Sequence, residues 1–76
     1  MKVQVIVEKI QNGQLWGRTS RLGSSFVTGY GENVDTLLLN IKESMRHFQQ
    51  HEGKKEQFWS ELEIDAIAFE VEFKSS

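Results

Sequence analysis

The sequence predicts one small α+β domain of two layers, with the element order β-β-β-α-β. Three observations predict it. Apolar and polar residues alternate in the first nine positions, the spacing turns helical from Val34 to Gln50, and alternation returns before Phe73. A chain of 76 residues has room for a single domain, 1–76.

The first strand runs from Lys2 to Ile10. Val3, Val5 and Val7 share one face, Lys2, Gln4 and Glu8 take the other, and Ile6 and Ile10 add apolar groups to that second face. Asn12-Gly13 follows, a hairpin signal, because both central positions of a type I′ turn need positive φ. The return strand is placed from Gln14 to about Ser20 and carries Leu15 and Trp16. Ser20 to Ser25 reads as a loop, and Phe26 to Tyr30 as a third short strand.

Gly31-Glu32-Asn33 breaks the alternation, with Asn33 as helix N-cap and Asp35 near the positive helix end. Val34, Leu37, Leu38, Ile41, Met45 and Phe48 then form one stripe of an amphipathic helix over Val34–Gln50. Gly53 is placed as the residue just past its end. Lys54 to Ser60 is a polar connector whose Phe58 and Trp59 fold back as a plug. The last strand is placed from Leu62 to Phe73, with Ile67, Phe69, Val71 and Phe73 inward and Ala68, Glu70, Glu72 and Lys74 in water. The expected fold is therefore an antiparallel three-strand meander, one helix on a face, and a fourth strand returning to the same sheet. The helical crossover is right-handed if the third and fourth strands run parallel to a common neighbour.

A chain this short buries only about 60% of its unfolded surface, so a further source of stability is expected. With Cys 0, disulfides and thiolate metal sites are excluded, which leaves dimerisation. The aromatic load of Trp16, Phe26, Tyr30, Phe58, Trp59, Phe69 and Phe73 exceeds what one helix can cover. A two-fold homodimer through an edge strand or the uncovered sheet face is the expected consequence. The opening residues Met1 to Glu8 lack a signal-peptide core, and no apolar run is long enough to span a membrane, so a cytoplasmic location is expected.

The net charge of −2 argues against nucleic acid as the partner of this domain alone. Charge is uneven, however. Residues 52–76 hold seven acidic and three basic side chains, against four and six in residues 1–51, so the acidic tail suits a basic partner.

Catalytic and metal-binding signals are sparse. His47 and His51 stand four apart on the helix but have no third ligand at a recognisable spacing, so they read as two solvated histidines. Ser24 and Ser25 lack a nucleophile-elbow pattern, and Gly29 and Gly31 lack the third glycine of a dinucleotide loop. Glu61, Glu63 and Asp65 alternate as a solvated strand face would. Arg18 and Arg21 bracket a Ser-rich turn next to Trp16, a basic-aromatic pairing that can stack bases, yet two arginines are too few in an acidic chain. The residues read as a non-catalytic binding module, with no catalytic residue, metal or cofactor.

Val3-Gln4-Val5-Ile6-Val7-Glu8-Lys9, then Trp16-Gly17 on the hairpin return, resembles the opening of the HicB-like antitoxin family. Phe26-Val27-Thr28-Gly29-Tyr30-Gly31-Glu32-Asn33, followed by Leu38-Leu39-Asn40-Ile41-Lys42-Glu43-Ser44, is similar to that family's third strand, helix cap and helix. The likeness covers about residues 2–51. The family's Pro-rich loop before the third strand is here Ser20-Arg21-Leu22-Gly23-Ser24-Ser25-Phe26, without prolines, and no DNA-binding domain follows in the sequence. The resemblance implies a partial ribonuclease-H-like fold without catalysis. It also implies a partner, a small basic mRNA-cleaving HicA-type toxin whose active site the domain would mask. The alternative is a stand-alone homodimeric regulatory or RNA-binding accessory protein of the same fold. The partner-binding residues expected on these grounds are Glu61, Glu63, Glu70 and Glu72, as an acidic face of the final strand, with Arg18 and Arg21 of the loop as the second choice.

Overall fold

A computed structural model describes residues 1–74, apart from the side chain of Gln11; Ser75 and Ser76 of the expected domain lie outside the described residues. The chain forms β1 (Lys2–Lys9), β2 (Leu15–Thr19), β3 (Thr28–Gly31), α1 (Val34–His51), α2 (Gln57–Ser60) and β4 (Ala68–Phe73). Short 3-10 turns at Gln11–Gly13, Gly53–Lys55 and Ile64–Ala66 complete it. The strands make one mixed sheet in the order β3-β2-β1-β4. The β1–β2 and β2–β3 pairs are antiparallel, and β4 returns parallel to β1. The α+β order expected from the sequence is the order observed.

Local chemistry accounts for most of this. Val3, Val5 and Val7 are buried on the helix side of β1, and period two turns Gln4, Ile6 and Glu8 to the other side. Asn12 and Gly13 both take positive φ, 70° and 76°. The loop is one residue longer than the expected two-residue turn, because Ile10 and Gln14 close it through a 2.9 Å backbone bond around positions 11–13. The Asn33 side chain accepts the Thr36 amide at 2.8 Å, which satisfies one of the orphan donors of α1.

The helix is held at close range. A Cβ on Gly31 would lie 2.5 Å from the Leu37 nitrogen, and one on Gly29 would lie 2.8 Å from Ile41 Cγ1. Both glycines sit on the helix side of β3, so only a strand without side chains there lets α1 come this near. The helix backbone lies against β3 and β2 and stands off from β1 and β4. Leu37, Ile41 and Met45 are fully buried, while Val34, Leu38 and Phe48 are half-covered.

Three boundaries differ from the sequence reading. The third strand begins at Thr28, not Phe26, because the Val27 amide is taken by the buried Thr19 hydroxyl at 3.0 Å and drops out of the ladder. Phe26 is consequently 53% exposed. The last strand begins at Ala68, not Leu62. Ile64 and Ile67, three apart and both buried, set a helical period there, and residues 64–66 form a 3-10 turn. Glu61, Glu63 and Asp65 are therefore not on a strand. Phe73, expected inward, is 61% exposed, because it lies on the edge strand beyond the reach of α1.

Trp59 fills the place the helix leaves open. Its ring is fully buried, stacks obliquely on Phe48 with centroids 4.5 Å apart, and its indole N–H donates to the Leu22 carbonyl at 3.0 Å. Phe58, expected to share the plug, is at the surface. Gly53 is needed for a different reason than capping: a Cβ there would meet the Trp59 Cβ at 2.7 Å. The Gln49 amide holds this connector to α1 by donating to the carbonyls of Trp59 and Leu62.

Ile41→Ala should lower stability by about 2–5 kcal/mol, and Leu38→Ala by less, because Leu38 is only half-buried. Gly31→Ala should cost about 1–3 kcal/mol by forcing α1 off the sheet. Urea unfolding midpoints of the three variants check the ranking. A Gly31→Ala protein as stable as the parent would mean that α1 packs farther out.

Candidate interaction surface

The sheet has one face under α1 and one face on which, among the described residues, no element packs. Register places the residues of this second face in rows. Tyr30 of β3 faces Trp16 of β2, which faces Glu8 of β1. Thr28 faces Arg18, then Ile6, then Glu72 of β4, and Gln4 faces Glu70. Tyr30 is 55% exposed, and Trp16 and Ile6 are half-buried with no covering layer.

Charge on this face is sorted, not uniform. Glu70 and Glu72 are exposed on β4, and the Gln4 amide donates to Glu72 at 2.7 Å. Lys74 closes on Glu8 at 2.9 Å. Arg18 stands with Trp16 and Tyr30 at the opposite side. With Lys2 included, Lys2, Arg18 and Lys74 match Glu8, Glu70 and Glu72 in number. A polyanion would find no excess of positive charge here.

The structure thus brings together Glu70, Glu72 and Arg18 of the residues singled out from sequence, and separates the rest. Glu61 ends α2, where it accepts from the Gln57 amide at 3.1 Å, and Glu63 is exposed just before the 64–66 turn. Both lie on the connector, so the acidic face of the final strand consists of Glu70 and Glu72 alone. Asp65 is bound to Arg46, which also holds Glu43 at 2.6 Å. Hydrogen bonding to Asp65 raises the Arg46 guanidinium above its ordinary pKa.

Arg21 sits apart from Arg18, in a loop that is firmly held. Leu22 and Ser25 exchange backbone bonds of 2.6 and 3.1 Å around Gly23. Leu22 is buried under Trp59, and Glu56 accepts from both the amide and the hydroxyl of Ser24, at 3.0 and 2.6 Å. The Ser24 hydroxyl is committed to that carboxylate.

A concavity of about 600 Å³, widely open, lies between Phe26 and the C-terminal half of α1. His47 and His51 line it with their ring centroids 4.4 Å apart, beside Phe48, Glu43 and Glu52. Among the described residues no three His, Cys, Asp or Glu side chains gather to hold a metal ion, and no helix is long and apolar enough to cross a membrane.

Sequence reasoning counted Trp16 and Tyr30 among the aromatics that one helix cannot cover and put Ile6 on the second face of the first strand, but named none of the three as partner-binding. Their gathering on one open face depends on strand register and on the absence, among the described residues, of a second covering layer. No family model matches this chain, nor does any curated protein or solved structure.

Trp59→Phe keeps an aromatic ring in the buried site but deletes the pyrrole half with its N–H, leaving the Leu22 carbonyl with the Ser25 amide alone. We expect a loss of about 1–3 kcal/mol in urea unfolding, with faster amide exchange at Leu22 and Ser25. Unchanged exchange would mean that Glu56 alone holds the loop.

Proposed function

We propose that the chain is a non-catalytic protein-binding module of the kind its HicB-like resemblance implies, and that its uncovered sheet face receives a small basic protein such as a HicA-type toxin. The observation that carries this reading is that, among the described residues, no layer covers Trp16, Tyr30 and Ile6 on the sheet face opposite α1. Aromatic side chains ringed by charge are the usual anatomy of a protein interface, whereas a balanced charge gives nucleic acid little to hold. The observed order of β-β-β-α-β is the order that the resemblance leads one to expect, and the fold supports the reading to that extent.

On this reading the parts of the face have separate tasks. Trp16 and Tyr30 are the apolar anchors. Glu70 and Glu72 meet basic groups of the partner and act mainly on encounter rate and selection. Arg18 lies on β2 between Thr28 and Ile6, with Ile6 separating it from Glu72, and there it could read a carboxylate of the partner. Masking a toxin in this way needs no chemistry from the domain itself, only a rigid face, which the sheet and its glycine-seated helix provide.

Binding of purified HicA-type toxin tests the proposal. Trp16→Ala should weaken the complex by about 30-fold, the mark of a central anchor of about 2 kcal/mol. Reversing Glu70 and Glu72 to Lys should slow association, and raising salt through the range where the Debye length is about 8 Å should slow the parent more than this variant. If no complex forms, or if parent and variants bind alike, the face is not the toxin-binding surface.

A further inference from the structure

We infer that the outer edge of β4 is a homodimer interface, in which β4 pairs antiparallel with β4 of a second copy about a two-fold axis through Glu72. The inference concerns the edge of the sheet and does not depend on what binds its open face.

Backbone geometry comes first. Ala68 and Lys74 donate their amides to the Met1 and Val7 carbonyls, both at 2.9 Å. By the period of two, the even residues of β4 point their backbone groups at β1, and Phe69, Val71 and Phe73 point theirs outward. Among the described residues no strand lies beyond them. This edge therefore offers three N–H and three C=O groups, with neither a proline nor a bulge to protect it.

Apolar surface follows the same edge. Because α1 is seated over β3 and β2, it leaves Phe69 and Val71 half-covered and Phe73 exposed on the helix side of β4. Between this row and α1 lies a shallow trough of about 160 Å³, lined by Leu38, Leu39, Phe69, Asp35 and Lys42. Leu39 is 59% exposed, and the Lys42 ammonium stands 5.8 Å from the Phe69 ring centre. A neighbour bound at the edge would continue the sheet under this trough.

Charge selects the neighbour. On the open face β4 reads Glu70, Glu72, Lys74. With the two-fold at Glu72, Glu70 stands opposite Lys74 of the second copy, twice, and Val71 opposite Phe73, twice. The Val71–Phe73 pairs are the ones whose backbone groups point outward, so they exchange four hydrogen bonds. Lys74 also keeps Glu8 within reach. One like-charge contact remains, Glu72 against its own copy. Moving the axis to Val71 would set Glu70 against Glu72 twice. Moving it to Phe73 would set Glu72 against Lys74 twice, but would shorten the pairing of the described residues from five of each strand to three and halve its hydrogen bonds from four to two.

The test uses the absence of cysteine from the chain. Glu72 meets its copy in a non-hydrogen-bonded pair, where Cα atoms lie about 4.5 Å apart, within disulfide range. Glu72→Cys should cross-link to dimer under mild oxidation, whereas Glu70→Cys and Lys74→Cys should each do so poorly alone and well when mixed. In sedimentation at high micromolar concentration the parent should show a reversible dimer. Glu72→Gln should tighten it about two- to five-fold, as removal of one opposed like-charge pair does, and Lys74→Glu should weaken it about tenfold. Parent and Glu72→Gln both monomeric, or Glu72→Cys resisting oxidation, overturns the interface. Equal cross-linking at all three positions overturns the register. Failure of the dimeric parent to bind toxin would count against the proposed function only.

Discussion

The close seat of α1 on Gly29 and Gly31 governs the rest of the molecule. A strand with side chains at those positions would hold the helix several ångströms farther out, and Leu37 and Ile41 would lose the contacts that bury them completely. The glycines lie on β3, so the seat is off-centre. One half of the sheet is covered tightly, and the half that includes β4 is covered only in part.

Several features follow from that asymmetry. Trp59 closes the space near Leu22 and Phe48 that the single helix does not fill, and its connector is tied back by Gln49 and by the Arg46–Asp65 pair. Phe69 and Val71 of β4 are half-covered and Phe73 at its end is exposed. The domain thus has one saturated side and one side with apolar surface and open backbone groups. That combination in a chain of this size agrees with the need for stability from outside its own core.

The open sheet face and the β4 edge are separate consequences of a two-layer design. The open face exists because, among the described residues, nothing covers the sheet opposite α1. The β4 edge exists because the sheet ends there. Association at the edge would leave the open faces of both copies on the same side, where they would make one larger surface with Glu70, Glu72 and Lys74 at its centre.

The element order, the helix with its stripe and Asn33 cap, and the alternating faces of β1 and β4 were determined by the sequence itself, because each is set by neighbours one to four residues apart. The segment from Leu62 to Ile67 was not legible. Its alternating acids read as a strand, while the buried Ile64 and Ile67 follow a three-residue spacing that only packing against the core selects. The early start given to β3 failed for a similar reason: the Thr19 hydroxyl, eight residues away, captures the Val27 amide. Likewise, the pairing of β4 with β1, the burial of Trp59 and exposure of Phe58, and the scattering of Glu61 and Glu63 away from Glu70 and Glu72 were decided by tertiary structure. Each depends on contacts between residues far apart in the chain, and local periodicity carries no record of those.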